Sequence, residues 1–172
     1  TRVRSSAASD VYKRQGSIAV VSAVLLAGFM LARYGNERMD YMTTQEIDGI
    51  KQLDAMAPQG STLFAVSPVP WRFEDYSDFD YEGFPQAKQL LQTSDAGAVA
   101  TAMSDSTAKT GHQAYLILTR SQGAQLDLMT DLPSGSLDRL QAAIQQSGLF
   151  DMVYQNTDSA VFVLNSQTGG QA

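Results

Sequence analysis

Ala114–Thr119 reads AYLILT, six uncharged residues dominated by aliphatic and aromatic side chains. An apolar run this short is too brief for a helix and predicts a strand covered on both faces. Gly111 and His112 lead into it, and Arg120, Ser121 and Gln122 leave it. Upstream, Ala96 to about Ser106 has helical character and a cap at Ser94 or Asp95. Gln86–Gln92 fits a short helix or a strand. Ser61–Ser67 (STLFAVS) is a second buried strand. Before it, Thr43 and Glu46 form the T-x-x-E pattern of a capping box. Ile47, Ile50, Leu53 and Ala57 follow at helical spacing until Pro58 and Gly60 stop the helix.

Downstream of the strand, Gly123–Asp131 reads as a short helix closed by Pro133. Ser134 or Ser136 caps another, with Leu137, Leu140 and Ile144 on one face and Gly148 at its end. Phe150–Gln155 and Ala160–Leu164 then flank Asn156-Thr157-Asp158 as a hairpin. This alternation predicts an α/β domain over residues 34–165, followed by a flexible tail at 166–172. Its expected sheet is mixed and four-stranded: the strands at 61–67 and 114–119 run parallel, and the hairpin adds an antiparallel edge.

The N-terminal part follows different physics. Gly16–Ala32 (GSIAVVSAVLLAGFMLA) contains no charge and predicts a transmembrane helix over residues 16–33. Its Gly, Ala and Ser residues suit close packing among membrane helices. Tyr34 and Tyr41 fit the interface beyond it. Residues 5–15 (SSAASDVYKRQ) resemble the in-frame translation of a sequencing-library adapter. Residues 1–15 are therefore expected to be an artefact and are set aside from the fold. Without them the charge count changes from 12 basic and 18 acidic residues to 8 and 17, a net −9.

Composition removes several kinds of chemistry. The absence of Cys excludes disulfides, thiolate zinc sites and a Cys nucleophile. A single His excludes a multi-His metal site and disfavours a Ser-His triad. A pI near 4.6 argues against nucleic acid as a partner. No phosphate loop, dinucleotide fingerprint or G-x-S-x-G is present, and no cofactor is expected.

Two stretches remain as candidate binding elements. Pro68–Pro85 (PVPWRFEDYSDFDYEGFP) has no regular period and interleaves six aromatic residues with acids. It predicts a long loop whose rings either cap the core or form a binding lip for the membrane or a sugar-like ligand, with Trp71 and Arg72 as the lip residues. Asp75, Asp78 and Asp80 lack the spacing of a calcium loop, so no metal is assigned. The second stretch is Arg120 to Gln122, just past the carboxyl end of a central strand, where open α/β sheets take ligands. Arg120 there either grips an anion or pairs with an acid such as Asp127 or Asp131, and Gln122 is a further binding candidate.

Taken together, LARYGNERMDY, APQGSTLFAVSP, PWRFEDY, AYLILTRSQ and FDMVYQNTDSAVFVL resemble the C-terminal end of large bacterial multi-pass membrane proteins of the GT-C glycosyltransferase-like type. The resemblance spans nearly all of Gly16–Leu164. It implies a last transmembrane helix leading into an extracytoplasmic domain at the cell membrane. It implies a parent that transfers sugar from a lipid-phosphate donor, with its catalytic acid upstream. No catalytic residue carries over, so the domain would cap the membrane active site or help to bind an acceptor. The implied partners are membrane lipid, the parent's upstream helices and a lipid-linked sugar or glycan. A single-pass anchored binding or assembly domain is the alternative, and a secreted domain with a cleaved leader is a third reading.

Overall fold

In the computed structural model, residues 3–34, 41–69 and 78–165 are described. The chain divides into two units, Thr1–Glu37 and Arg38–Ala172. The first contains α1 (Val3–Tyr34). This helix is longer than the predicted span because it takes in residues 3–15. Extending an existing helix adds one hydrogen bond per residue without a new nucleation step. Within it, the 24 residues Val11–Tyr34 contain an 18-residue window of mean hydropathy 1.9, none of it buried. At ~1.5 Å per residue such a length exceeds a hydrocarbon core of ~30 Å. α1 is thus long and apolar enough to span a membrane. Ser17 hides its hydroxyl by donating to the Lys13 carbonyl (3.0 Å). At the other end the Arg33 guanidinium lies 5.8 Å from the centre of the Tyr34 ring, a cation–π pair.

The second unit is the expected α/β domain with its C-terminal hairpin. Its elements are α2 (Thr44–Met56), β1 (Thr62–Ala65), β2 (Asp80–Gly83), α3 (Ala87–Thr93), α4 (Ala96–Thr107), β3 (Ala114–Thr119), α5 (Arg120–Met129), α6 (Ser136–Ser147), β4 (Phe150–Gln155) and β5 (Ser159–Leu164). Among the described residues the sheet has five strands in the order β2-β1-β3-β5-β4, not four. β1 pairs in parallel with both β2 and β3, while β5 runs antiparallel to β3 and to β4.

The extra strand is β2, which falls inside the stretch expected to be a loop. Gly60 starts its docking: at φ +82° it turns the chain so that its N–H reaches the Asp78 carbonyl at 2.7 Å. Asp80 N–H then donates to Ser61 O at 3.1 Å. As an outer strand β2 is mostly exposed, and its acidic residues suit an unpaired edge. The rings around it do cap the core. Phe79 and Phe84 are buried, Phe84 lies 5.4 Å from Phe64 between centroids, and Phe79 meets Tyr81 edge-on at 6.3 Å. Trp71 and Arg72 lie outside the described residues, as does the tail at 166–172.

Side-chain alternation divides the core between the two faces of the sheet. Phe64, Leu116, Leu118 and Phe162 meet Leu91, Val99, Met103, Leu140 and Ile144 of α3, α4 and α6. On the opposite face Leu63, Ala65, Ile117 and Val161 meet Ile50 and Leu53 of α2. β1 and β3 are buried throughout, as parallel strands with helices on both faces must be.

Of the two expected caps of α4, Asp95 serves, accepting from Ala98 N–H (3.0 Å). Other boundaries differ from expectation. α5 starts at Arg120 rather than Gly123, because Thr119 ends the strand and caps the helix through Gln122 N–H. Gly135, at φ +73°, caps α6 in place of either serine. Ser134 instead donates to Asp127 (2.9 Å), and Ser136 donates to the Pro133 carbonyl.

α2 approaches β5 so closely at Gly49 that a Cβ there would lie 2.7 Å from Ser159 Cβ. Gly49→Ala should therefore destabilise the domain by about 1–3 kcal/mol, the usual cost of overpacking. Urea unfolding of this variant, alone and with Ser159→Gly, should show the second change recovering most of the loss.

Candidate functional site at the carboxyl end of β3

The carboxyl end of β3 is crowned by three pieces of chain: the start of α2, the start of α5 and the β4–β5 turn. Asn156 shapes that turn. Its Oδ1 accepts from the N–H groups of Asp158 (3.0 Å) and Ser159 (2.8 Å), and its amide donates to Gln45 O (2.8 Å) on α2. Arg120 N–H donates to Asp158 O at 2.9 Å, joining α5 to the same turn.

Glu46 lies at the middle of this crown and is fully buried. One carboxylate oxygen accepts from Thr43 N–H (2.9 Å) and closes the expected capping box, whose other half is Glu46 N–H donating to Thr43 Oγ1 (3.1 Å). The same oxygen lies 3.3 Å from Arg120 Nη2. The other oxygen accepts from Ser121 N–H at 2.5 Å. One carboxylate thus serves the amino ends of α2 and α5, where helix dipoles favour negative charge. Burial pushes the Glu46 carboxyl up, but the bonds from Thr43 and Ser121 and the Arg120 charge outweigh it, leaving its pKa below the ordinary 4.5.

Arg120 pairs with an acid, but with neither of the two expected. Asp127 accepts from Ser134 Oγ (2.9 Å) and Gly135 N–H (3.2 Å), and Asp131 pairs with Lys88 at 2.6 Å. Arg120 instead holds Glu46 and donates to the Tyr41 carbonyl at 2.5 Å, pinning the first described residue of the domain. Gln122, the other candidate, is 1% exposed and donates its amide to Ile117 O at 3.4 Å. Beside it, Thr119 and Ser121 share a hydroxyl–hydroxyl bond of 3.1 Å.

Nothing in the helical spacing marks Glu46 as a core residue. The helical spacing predicts a buried face of Ile47, Ile50, Leu53 and Ala57. Ile50, Leu53 and Ala57 are buried, but Glu46 and Gly49 join them in place of Ile47, which is 41% exposed. The T-x-x-E pattern was the available signal, but a capping glutamate is normally solvated, so spacing alone does not place it inside.

Ser121 has no histidine to activate it. His112 precedes β3, at the far end of a six-residue strand that spans ~20 Å. Among the described residues no cluster of three His, Cys, Asp or Glu side chains could hold a metal ion. A polar cleft of about 350 Å³ adjoins the crown, lined by Arg120, Asp127, Asp138, Gln141, Gln155 and Asp158 among others. No family model, curated protein or solved structure matches the chain.

Glu46→Ala deprives Arg120 of its carboxylate and leaves the Thr43 and Ser121 N–H groups without their acceptor, and should cost about 3–5 kcal/mol in chemical denaturation. Because the folded pKa of Glu46 lies below its unfolded value, its contribution is fully present above about pH 4.5 and is lost as pH falls through the folded pKa. Stability measured across the acid range should therefore fall more steeply for the native chain than for Glu46→Gln.

Proposed function

We propose that this chain is the membrane-anchored end of a polytopic, glycosyltransferase-like protein. In this reading its α/β domain sits outside the cytoplasm and binds or covers glycan, while sugar transfer takes place on the parent's upstream segments. The observation that carries the reading is α1, whose uncharged run Gly16–Ala32 has no buried side chains. Exposed apolar surface of that extent is stable only against lipid or other apolar helices. Its small residues and the Arg33–Tyr34 pair at its end agree with that setting. The domain contributes a polar, acid-rich crown rather than a nucleophile–base pair, which suits recognition better than chemistry.

Two measurements test this. The contiguous gene should encode several further apolar spans and an acidic residue in its first external loop; an open reading frame beginning near Gly16 would overturn the polytopic parent. Because the chain has no cysteine, Ser104→Cys on the exposed side of α4 provides a single labelling site. A membrane-impermeant maleimide should label it in intact cells. Labelling only after lysis would place the domain in the cytoplasm.

A further inference from the structure

The connections leaving β1 and β3 diverge. From β1 the chain passes to β2 on one side, and from β3 it passes through α5 and α6 to the hairpin on the other. The two strands are adjacent and parallel, so their carboxyl ends form the point where strand order reverses. In open α/β sheets a crevice opens at that point, and ligands occupy it.

Among the described residues, two buried polar atoms at this edge have no hydrogen-bond partner. Only the NH2 of Gln122 can donate to the Ile117 carbonyl, so the amide orientation is fixed and its Oε1 is the atom left over. That oxygen accepts no hydrogen bond, although the residue is 1% exposed. Ser67 Oγ is also buried with no partner among the described residues. Ser67 follows Ala65 by two residues, and Ala65 is in register with Ile117, the residue whose carbonyl Gln122 engages. Both orphans therefore fall at one strand edge. Unmet buried acceptors are costly and rare in native proteins, and they commonly mark a missing partner.

The chemistry of that partner is restricted. Gln122 Oε1 needs a donor, whereas Ser67 Oγ can donate or accept. Glu46, buried nearby on Ser121 N–H, disfavours an anion, and Arg120 is engaged by Glu46 and Tyr41. We propose that the crevice beyond β1 and β3 binds a neutral hydroxyl-bearing ligand, a pyranose unit of a glycan, with a sugar hydroxyl donating to Gln122 Oε1 and Ser67 as a second contact. The hydroxyl chemistry comes from the orphan atoms; the choice of a sugar rests on the function proposed above.

The test uses the full chain in lipid nanodiscs, titrated with methyl hexopyranosides and, separately, with glycerol. At least one pyranoside should shift the Gln122 side-chain amide resonances saturably, and Ser67→Ala should weaken that binding at least about tenfold while leaving the melting curve unchanged. Gln122→Met, which removes the reporting amide and is therefore followed by titration calorimetry, should abolish it; if that variant unfolds, Ser67→Ala still decides. No saturable shift with any pyranoside, an equal response to glycerol, or a buried water that persists beside the Gln122 amide would overturn the proposal. Gene structure and maleimide labelling judge the membrane reading separately, so failure of either conclusion is distinguishable from failure of the other.

Discussion

A single carboxylate, that of Glu46, holds the domain's upper edge together. It satisfies N–H groups at the starts of two helices that are far apart in sequence and neutralises an arginine that in turn grips the backbone at Tyr41. Removing a charge from water carries a large desolvation penalty, and such a pair need not add net stability over an apolar replacement. What it supplies is alignment. Hydrophobic contact between α2 and the sheet would tolerate sliding by a fraction of a turn, but directional bonds to Thr43 and Ser121 do not. The close fit of Gly49 against Ser159 requires that same alignment.

From this anchoring the rest of the domain follows. With α2 seated, Ile50 and Leu53 cover Leu63, Ile117 and Val161, so β1 and β3 can be apolar on both faces. The opposite face is closed by α3, α4 and α6. Polarity is left to the strand ends and the outer strands, and the carboxyl edge gathers most of the buried polar atoms: Glu46, Thr119, Ser121, Gln122 and Ser159. A region so rich in buried polar groups is where recognition can be specific, since each group has a preferred partner and direction.

Residues whose environment is uniform reveal themselves in the chain. AYLILT can only be a covered strand, the Phe150–Leu164 segment can only be a hairpin, and Gly148 marks a helix end by its backbone freedom. Residues that serve two masters do not. Asp-Tyr-Glu-Gly at 80–83 lacks β propensity and becomes a strand because β1 offers it a free edge. Arg120, at the junction of strand and helix, carries no local mark of its partner, because Glu46 lies 74 residues earlier. The expectation of a nearby acid fails for that reason: tertiary contacts brought the distant carboxylate, while Asp127 and Asp131 were taken by closer donors. Of the site, the location past β3 and the candidacy of Arg120 and Gln122 could be read from the chain; the carboxylate that organises them could not.

The strand formed last in sequence is not last in space. β5 lies between β3 and β4, and Leu116 and Leu118 have their antiparallel neighbours only there. While the polypeptide is being synthesised, everything up to Gln155 can emerge and still leave β3 an open, greasy border. Such a border invites pairing with other nascent chains. A domain wired in this way commits to its native state only once β5 has been made, so any holdase or neighbouring segment that shields β3 in the interval would govern its yield.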